Sequence, residues 1–195
     1  MTQIFLNYRT DDEPFGVQLL DRELSERFGD DVVFFASRSI ELGDDWHKRM
    51  FEAVGKSAAL LVVIGRNWLD AKDEHGARRL DDPADFVRRE IRAGLKLNKK
   101  VIPVRLDVPR LKAEQLPESL RGLAGRQDIE IRRRKARMDI DDLAKKLRGQ
   151  IPALSEKPPA AEPPAPVKDA GHITANTVIT GNVRMRDFHA GPSFH

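Results

Sequence analysis

Apolar positions in the first 150 residues alternate between two spacings. Residues 3–8 (QIFLNY) form a short apolar run, and residues 15–28 place Leu19, Leu20, Leu24 and Phe28 at helical spacing before Gly29. A β-branched and aromatic run follows at 32–35. Residues 46–54 bring Met50, Phe51 and Val54 onto one helical face. Residues 58–64 (AALLVVI) are almost continuously apolar, as a strand buried on both faces should be. The pattern then predicts a helix over 83–97, a strand over 101–106, a short helix over 116–123, a strand over 128–131 and a closing helix over 140–147. Strands alternating with helices predict an α/β domain with a five-stranded parallel sheet covered on both sides. Ligands of such sheets gather where the strand-to-helix loops converge, here residues 9–14, 36–45, 65–83 and 107–115.

The helix expected over 83–97 contains one anomaly. Asp82 suits the N-cap and Pro83 the first helical position. At ~100° per residue, Phe86, Val87, Ile91, Gly94, Leu95 and Leu97 share half of the helix, with Asp85, Arg88, Arg89, Arg92, Lys96 and Lys99 opposite. Glu90 falls inside the apolar half. A buried carboxylate is costly unless paired, so Glu90 is expected to border a cleft. Spacing leaves two readings open: a structural glutamate held by a backbone N–H or an arginine, or a reactive group.

The neighbouring loops supply candidates to work with it. Tyr8 and Arg9 end the first strand. Arg9 suits a phosphate or carboxylate, or else pairs at the surface with Asp11 or Asp12. The second loop holds Ser37, Arg38 and Trp46, and the third opens on Asn67 and Trp68; for both tryptophans, a core role and a ligand-stacking role remain open.

Composition narrows the classes. The chain has 195 residues, 40% hydrophobic and 33% charged, with no cysteine, so disulfide and thiolate chemistry are excluded. The net charge of +3 comes from 34 basic and 31 acidic residues. The basic run Arg132–Arg133–Arg134–Lys135, with Arg137, has no interleaved aromatics, which favours a solvated loop over a nucleic-acid platform. No stretch has the ~18 apolar residues of a membrane span, and the N-terminus lacks a signal-peptide pattern. A cytoplasmic protein with no membrane or nucleic-acid partner is expected. Five scattered histidines give no metal spacing, and none of the G-x-G-x-x-G, P-loop or G-x-S-x-G motifs occurs. A phospho-receiver would need an aspartate ending the third strand, where Val63, Ile64 and Gly65 stand instead.

Near residue 151 the composition changes. Residues 151–170 are a Pro/Ala-rich stretch, expected to be an extended linker. Residues 171–195 carry β-formers (Ile173, Val178, Ile179, Val183, Phe188, Phe194) and little net charge, as self-pairing strands do.

Five blocks occur in order: FLNYRTDD (5–12), SRSIELGDDW (37–46) with EAVGKS (52–57), LLVVIGRNWL (60–69), RRLDDPADFVRREI (78–91) and VIPVRLD (101–107). Together they resemble bacterial TIR domains over residues 2–150. The resemblance implies a flavodoxin-like sheet and an NAD+ glycohydrolase, with NAD+ as substrate and no cofactor or metal. In enzymatic members a glutamate needed for NAD cleavage follows an aromatic by four residues. Glu90 and Phe86 occupy those places, Phe86 where tryptophan is common and Val87 where cysteine is. The resemblance puts Arg9 toward phosphate and the 36–45 loop, with Ser37 and Arg38, toward nicotinamide; Tyr8, Trp46 and Phe86 complete the expected binding set. It further implies activation by self-association and a role in bacterial immune defence or cell death. The alternative it leaves is a non-catalytic adaptor acting through homotypic contacts. The pattern at 176–195 resembles short RHIM-related amyloid signalling motifs, which would add self-assembly through the tail and an upstream sensor with a matching motif.

Overall fold

The computed structural model describes residues 3–35 and 45–154, apart from the side chains of Trp46 and His47. The expected linker beyond 154, the tail at 171–195, and the candidates Ser37 and Arg38 lie outside the described residues, as does the Trp46 side chain.

Five parallel strands form one sheet: β1 (Ile4–Asn7), β2 (Val33–Phe34), β3 (Ala59–Ile64), β4 (Lys100–Leu106) and β5 (Ile129–Ile131). Their order is β2-β1-β3-β4-β5. The chain runs outward from β1 to β2 and then returns to the other side of β1, so the direction reverses between β1 and β3. In register, Asn7 lies beside Val62.

The period of two along each strand divides the core into two layers. Ile4, Leu6, Leu61, Val63 and Val104 meet helix α1 (Pro14–Phe28) and helix α5 (Ala136–Gln150). Phe5, Leu60, Val62 and Ile64 meet helix α2 (Trp46–Lys56), helix α3 (Phe86–Lys96) and the short α4 (Arg121–Ala124). All six residues of β3 are buried, in keeping with its unbroken apolar run.

α3 packs closely over β3. A methyl group at Gly94 would sit 2.7 Å from Leu60 Cδ2 and 3.3 Å from Val101 Cγ2, so a glycine there lets the helix approach the sheet. The first turns of α3 meet the end of β1, where the Asn7 side chain bonds the Val87 carbonyl and Glu90.

Several boundaries differ from the sequence-based expectation. α3 begins at Phe86, not Pro83: Asp82 caps a preceding turn by accepting from the Ala84 N–H at 2.8 Å, and Asp85 is the N-cap, accepting from the Arg88 N–H at 2.9 Å. Leu97 closes the helix and is exposed rather than core. The helix expected at 116–123 is a 3-10 turn, Glu118–Leu120, running into α4. The closing helix spans fifteen residues because Arg132, whose side chain and backbone N–H both bond Asp139, ties its entrance to β5. Thus the basic run is only partly a loop: Arg133–Lys135 form a 3-10 turn, and α5 follows at once. Ile151 and Leu154, where the linker was expected to start, are buried against the α1/α5 layer.

Candidate functional site

Alternation along β1 places Asn7 and Arg9 toward α3, and Tyr8 toward the other layer. Tyr8 rests its ring on Phe35, 5.1 Å between centroids, against the α1/α5 side of the core. Tyr8 is therefore not gathered with Glu90, although it was a binding candidate.

Arg9 is 3% exposed. Its Nη1 and Nη2 donate to the two carboxylate oxygens of Asp85 at 3.0 and 3.2 Å, and its Nε donates to the Trp68 carbonyl at 3.3 Å. The carboxylate that Arg9 holds is thus Asp85, not Asp11 or Asp12, and the pair is buried rather than at the surface. Asp85 also lies 3.3 Å from Arg79 Nε while capping α3. The helical wheel had set Asp85 on the solvent side. An N-cap residue precedes the helix, so the wheel does not govern its direction.

Asp12 has a separate task. Its Oδ2 accepts from the Gly65 N–H at 2.8 Å and its Oδ1 from the Asn67 N–H at 2.9 Å, which ties the loop after β1 to the loop after β3. A methyl group at Gly65 would lie 2.6 Å from Asp12 Oδ1, so this junction needs glycine. Trp68, left open between core and ligand stacking, is fully buried in the core.

Glu90 lies just over one turn into α3 and is 3% exposed. It is more deeply placed than a cleft-bordering residue. Its Oε2 accepts from Asn7 Nδ2 at 2.7 Å. Among the described residues, no lysine or arginine forms a salt bridge with it, and neither of the structural partners expected from sequence, a backbone N–H or an arginine, bonds it. Burial pushes its carboxyl pKa up from 4.5 to about 8. The Asn7 hydrogen bond works against that rise, the negative charge of Asp85 adds to it, and Arg89 lowers it slightly.

Phe86 stands one turn before Glu90 and is half-buried. The Arg89 guanidinium lies 5.6 Å from the Phe86 ring centroid and 4.6 Å from that of Phe51 on α2. The two rings thereby hold a cation at the rim of the site.

The structure thus brings together Glu90, Asn7, Arg9, Asp85, Phe86 and Arg89, and leaves Tyr8 apart. Asn7 and Asp85 were not among the residues singled out from sequence. A polar residue ending an otherwise apolar strand, on the same face as Arg9, was the available signal for Asn7. For Asp85 the signal lay in the tetrad D-F-V-R, in which an aspartate precedes the true start of the helix.

Residues 4–148 match the protein family described as "TIR domain". Among solved structures, the chain is similar to the TIR domains of the activated Roq1 resistosome directly recognising the pathogen effector XopQ. That similarity has a TM-score of 0.56 at 17% identity, over 75% of this chain and 99% of the other. It is also similar to the TIR domain of the Toll-related receptor TRR-2 from Hydra magnipapillata, with a TM-score of 0.50 at 15% identity, over 76% and 99% of the two chains. At these identities the likeness is one of fold. Comparison with curated proteins gives no match.

Proposed function

Because the chain belongs to the TIR domain family, we propose that it cleaves NAD+ at the nicotinamide–ribose bond, with Glu90 as the catalytic residue. The observation that carries this reading is the state of Glu90. A glutamate kept for structure would be expected to have a cation or backbone donors to compensate it. Among the described residues Glu90 has one amide partner, in a site that holds its pKa near 8, at the sheet reversal where ligands of open α/β sheets collect. Perturbed carboxyls in such places are characteristic of reactive sites.

The chemistry suits one carboxylate. The bond from ribose C1′ to the nicotinamide nitrogen breaks, and its electron pair returns to the ring, which leaves as neutral nicotinamide. The sugar becomes oxocarbenium-like. Ionised Glu90 opposes that positive charge and accepts from ribose hydroxyls. Water then adds to C1′ and releases a proton, giving ADP-ribose; capture by the adenine ring would give a cyclic product. The 36–45 loop, with Ser37 and Arg38, remains the proposed wall for the nicotinamide end, and Phe86 and Trp46 stay in the proposed binding set. We assign Arg9 to holding the first turn of α3, since its donors are committed to Asp85; contact with phosphate would require that pair to open.

Glu90 is nearly closed off in the single chain, which supports a reading in which a second copy completes or opens the pocket. The test is nicotinamide release from NAD+ at rising protein concentration, with Glu90→Gln as control. Release that grows faster than concentration and is lost in the variant is the expected result. No release at any concentration, or equal release by the variant, sinks the enzymatic reading and leaves the adaptor role.

The tail enters the same proposal as an assembly segment, joining copies of this chain and a sensor with a matching motif in bacterial defence. Removing residues 171–195 is then expected to reduce filament formation and NAD+ cleavage together. Unchanged assembly and turnover would remove the tail from the mechanism. Among the described residues, no helix is long and apolar enough to cross a membrane.

A further inference from the structure

Asn7 is fully buried at the end of β1, and its side chain spans the gap to α3. Nδ2 donates to Glu90 Oε2 at 2.7 Å and to the Val87 carbonyl at 3.3 Å. The second contact settles the amide's orientation. A backbone carbonyl can only accept, so the NH₂ group must face the helix. With that orientation fixed, Glu90 Oε2 has to accept as well. The cost shows on the opposite side of the amide: Asn7 Oδ1 is buried without a hydrogen-bond partner among the described residues.

Turning the amide over would not be neutral. It would abandon the Val87 carbonyl and set Oδ1 against the Glu90 oxygen, an arrangement tolerable only when Glu90 carries a proton on that oxygen. The observed orientation therefore favours a carboxylate ready to accept.

Among the described residues, no charged side chain forms a hydrogen bond with Glu90. Asp85, the N-cap of α3, and Arg89, on α3, act on it in opposite senses. From the loop after β1 comes Arg9, bound to Asp85. β3 has no charged residue. α2, packed beside α3, carries the described charged side chains Lys48, Arg49, Glu52 and Lys56, the last two paired at 3.3 Å.

We propose that Asn7 is a positioning residue for the reaction: it orients the Glu90 carboxylate toward the sheet reversal and favours the ionised form that NAD+ cleavage requires. This rests on the glycohydrolase reading, but the geometry can be tested without turnover. Asn7 touches no reacting atom; it acts through Glu90.

The experiment uses the full chain with Asn7→Leu, which is close in volume and lacks the donor. Two profiles are followed against pH: the free energy of unfolding, and kcat/KM for nicotinamide release. In the wild type both turn where Glu90 ionises. In Asn7→Leu both midpoints are expected to move up by about one pH unit, because the charged form loses its hydrogen bond. Near pH 7 that corresponds to about tenfold slower release. In a Glu90→Gln background, Asn7→Leu should leave the unfolding profile unshifted.

Should Asn7→Leu fail to fold, Asn7→Asp preserves the shape and sets a second carboxylate beside Glu90. The pair would share a proton, and the midpoint should again rise. Unchanged midpoints in the folded variants overturn the proposal. A wild type that releases no nicotinamide, with the unfolding midpoint still shifted in Asn7→Leu, would defeat the enzymatic reading while keeping the Asn7–Glu90 coupling.

Discussion

Glu90→Gln is expected to stabilise the folded domain by about 5 kcal/mol at pH 9 and to abolish NAD+ cleavage. The energy follows from the ionisation of the wild-type side chain. Its pKa is about 8 in the folded chain against 4.5 in the unfolded one. The folded state therefore holds the proton more tightly. The stabilisation linked to that proton is complete below pH 4.5 and is lost as pH rises through 8. At ~1.4 kcal/mol per pK unit, the loss is about 5 kcal/mol once the group is ionised. Glutamine stays neutral throughout and can still accept from Asn7, so its stability has no such slope.

Domains of this size shift by ~2–4 °C in Tm per kcal/mol. The variant should melt at least about 10 °C above the wild type at pH 9 and close to it at pH 4. Thermal unfolding across pH checks this, and parallel curves for the two proteins would refute it. The pairing of gained stability with lost activity separates a reactive carboxylate from a structural one. A glutamate kept for the fold would make the variant less stable; one kept for chemistry imposes a cost that glutamine removes.

The second large effect concerns the Arg9–Asp85 pair. Asp85→Ala is expected to cost about 3–5 kcal/mol, a large part of the ~5–15 kcal/mol that holds a typical domain folded. Both side chains are 2% exposed. Removing the carboxylate strands a guanidinium with no water to replace its partner, and also deletes the N-cap of α3. Replacing both partners, as in Arg9→Met with Asp85→Leu, should cost less than Asp85→Ala alone, because no orphaned charge remains. Urea unfolding of the singles and the double gives the coupling. A loss within about 1 kcal/mol for Asp85→Ala would show that the pair contributes little.

Much of this architecture was legible along the chain. The unbroken run in β3, the helical spacing in α1 and the strand–helix alternation each follow from local periodicity, so the five strands and the layer class could be read directly. The anomaly of Glu90 was legible for the same reason, since a wheel needs only neighbours in sequence. The start of α3 was not. Both Asp82 and Asp85 are good caps, and Pro83 favours the earlier one. The choice depended on Arg9, seventy-six residues away, whose buried guanidinium requires the Asp85 carboxylate. The reading of Arg9 as a surface residue paired with Asp11 or Asp12 failed for the same cause.

Glu90 shows the division. Its place on the wrong side of a helix belongs to local order and follows from residue types at helical spacing. Its depth, its bond to Asn7 and its raised pKa come from packing. They arise because β1 ends beneath α3, because Gly94 lets that helix approach the sheet, and because the charge of Asp85 opposes that of Arg89. Periodicity specifies which face a residue takes. Burial and charge at a point are sums over atoms from distant parts of the chain, and only the folded structure brings those atoms together.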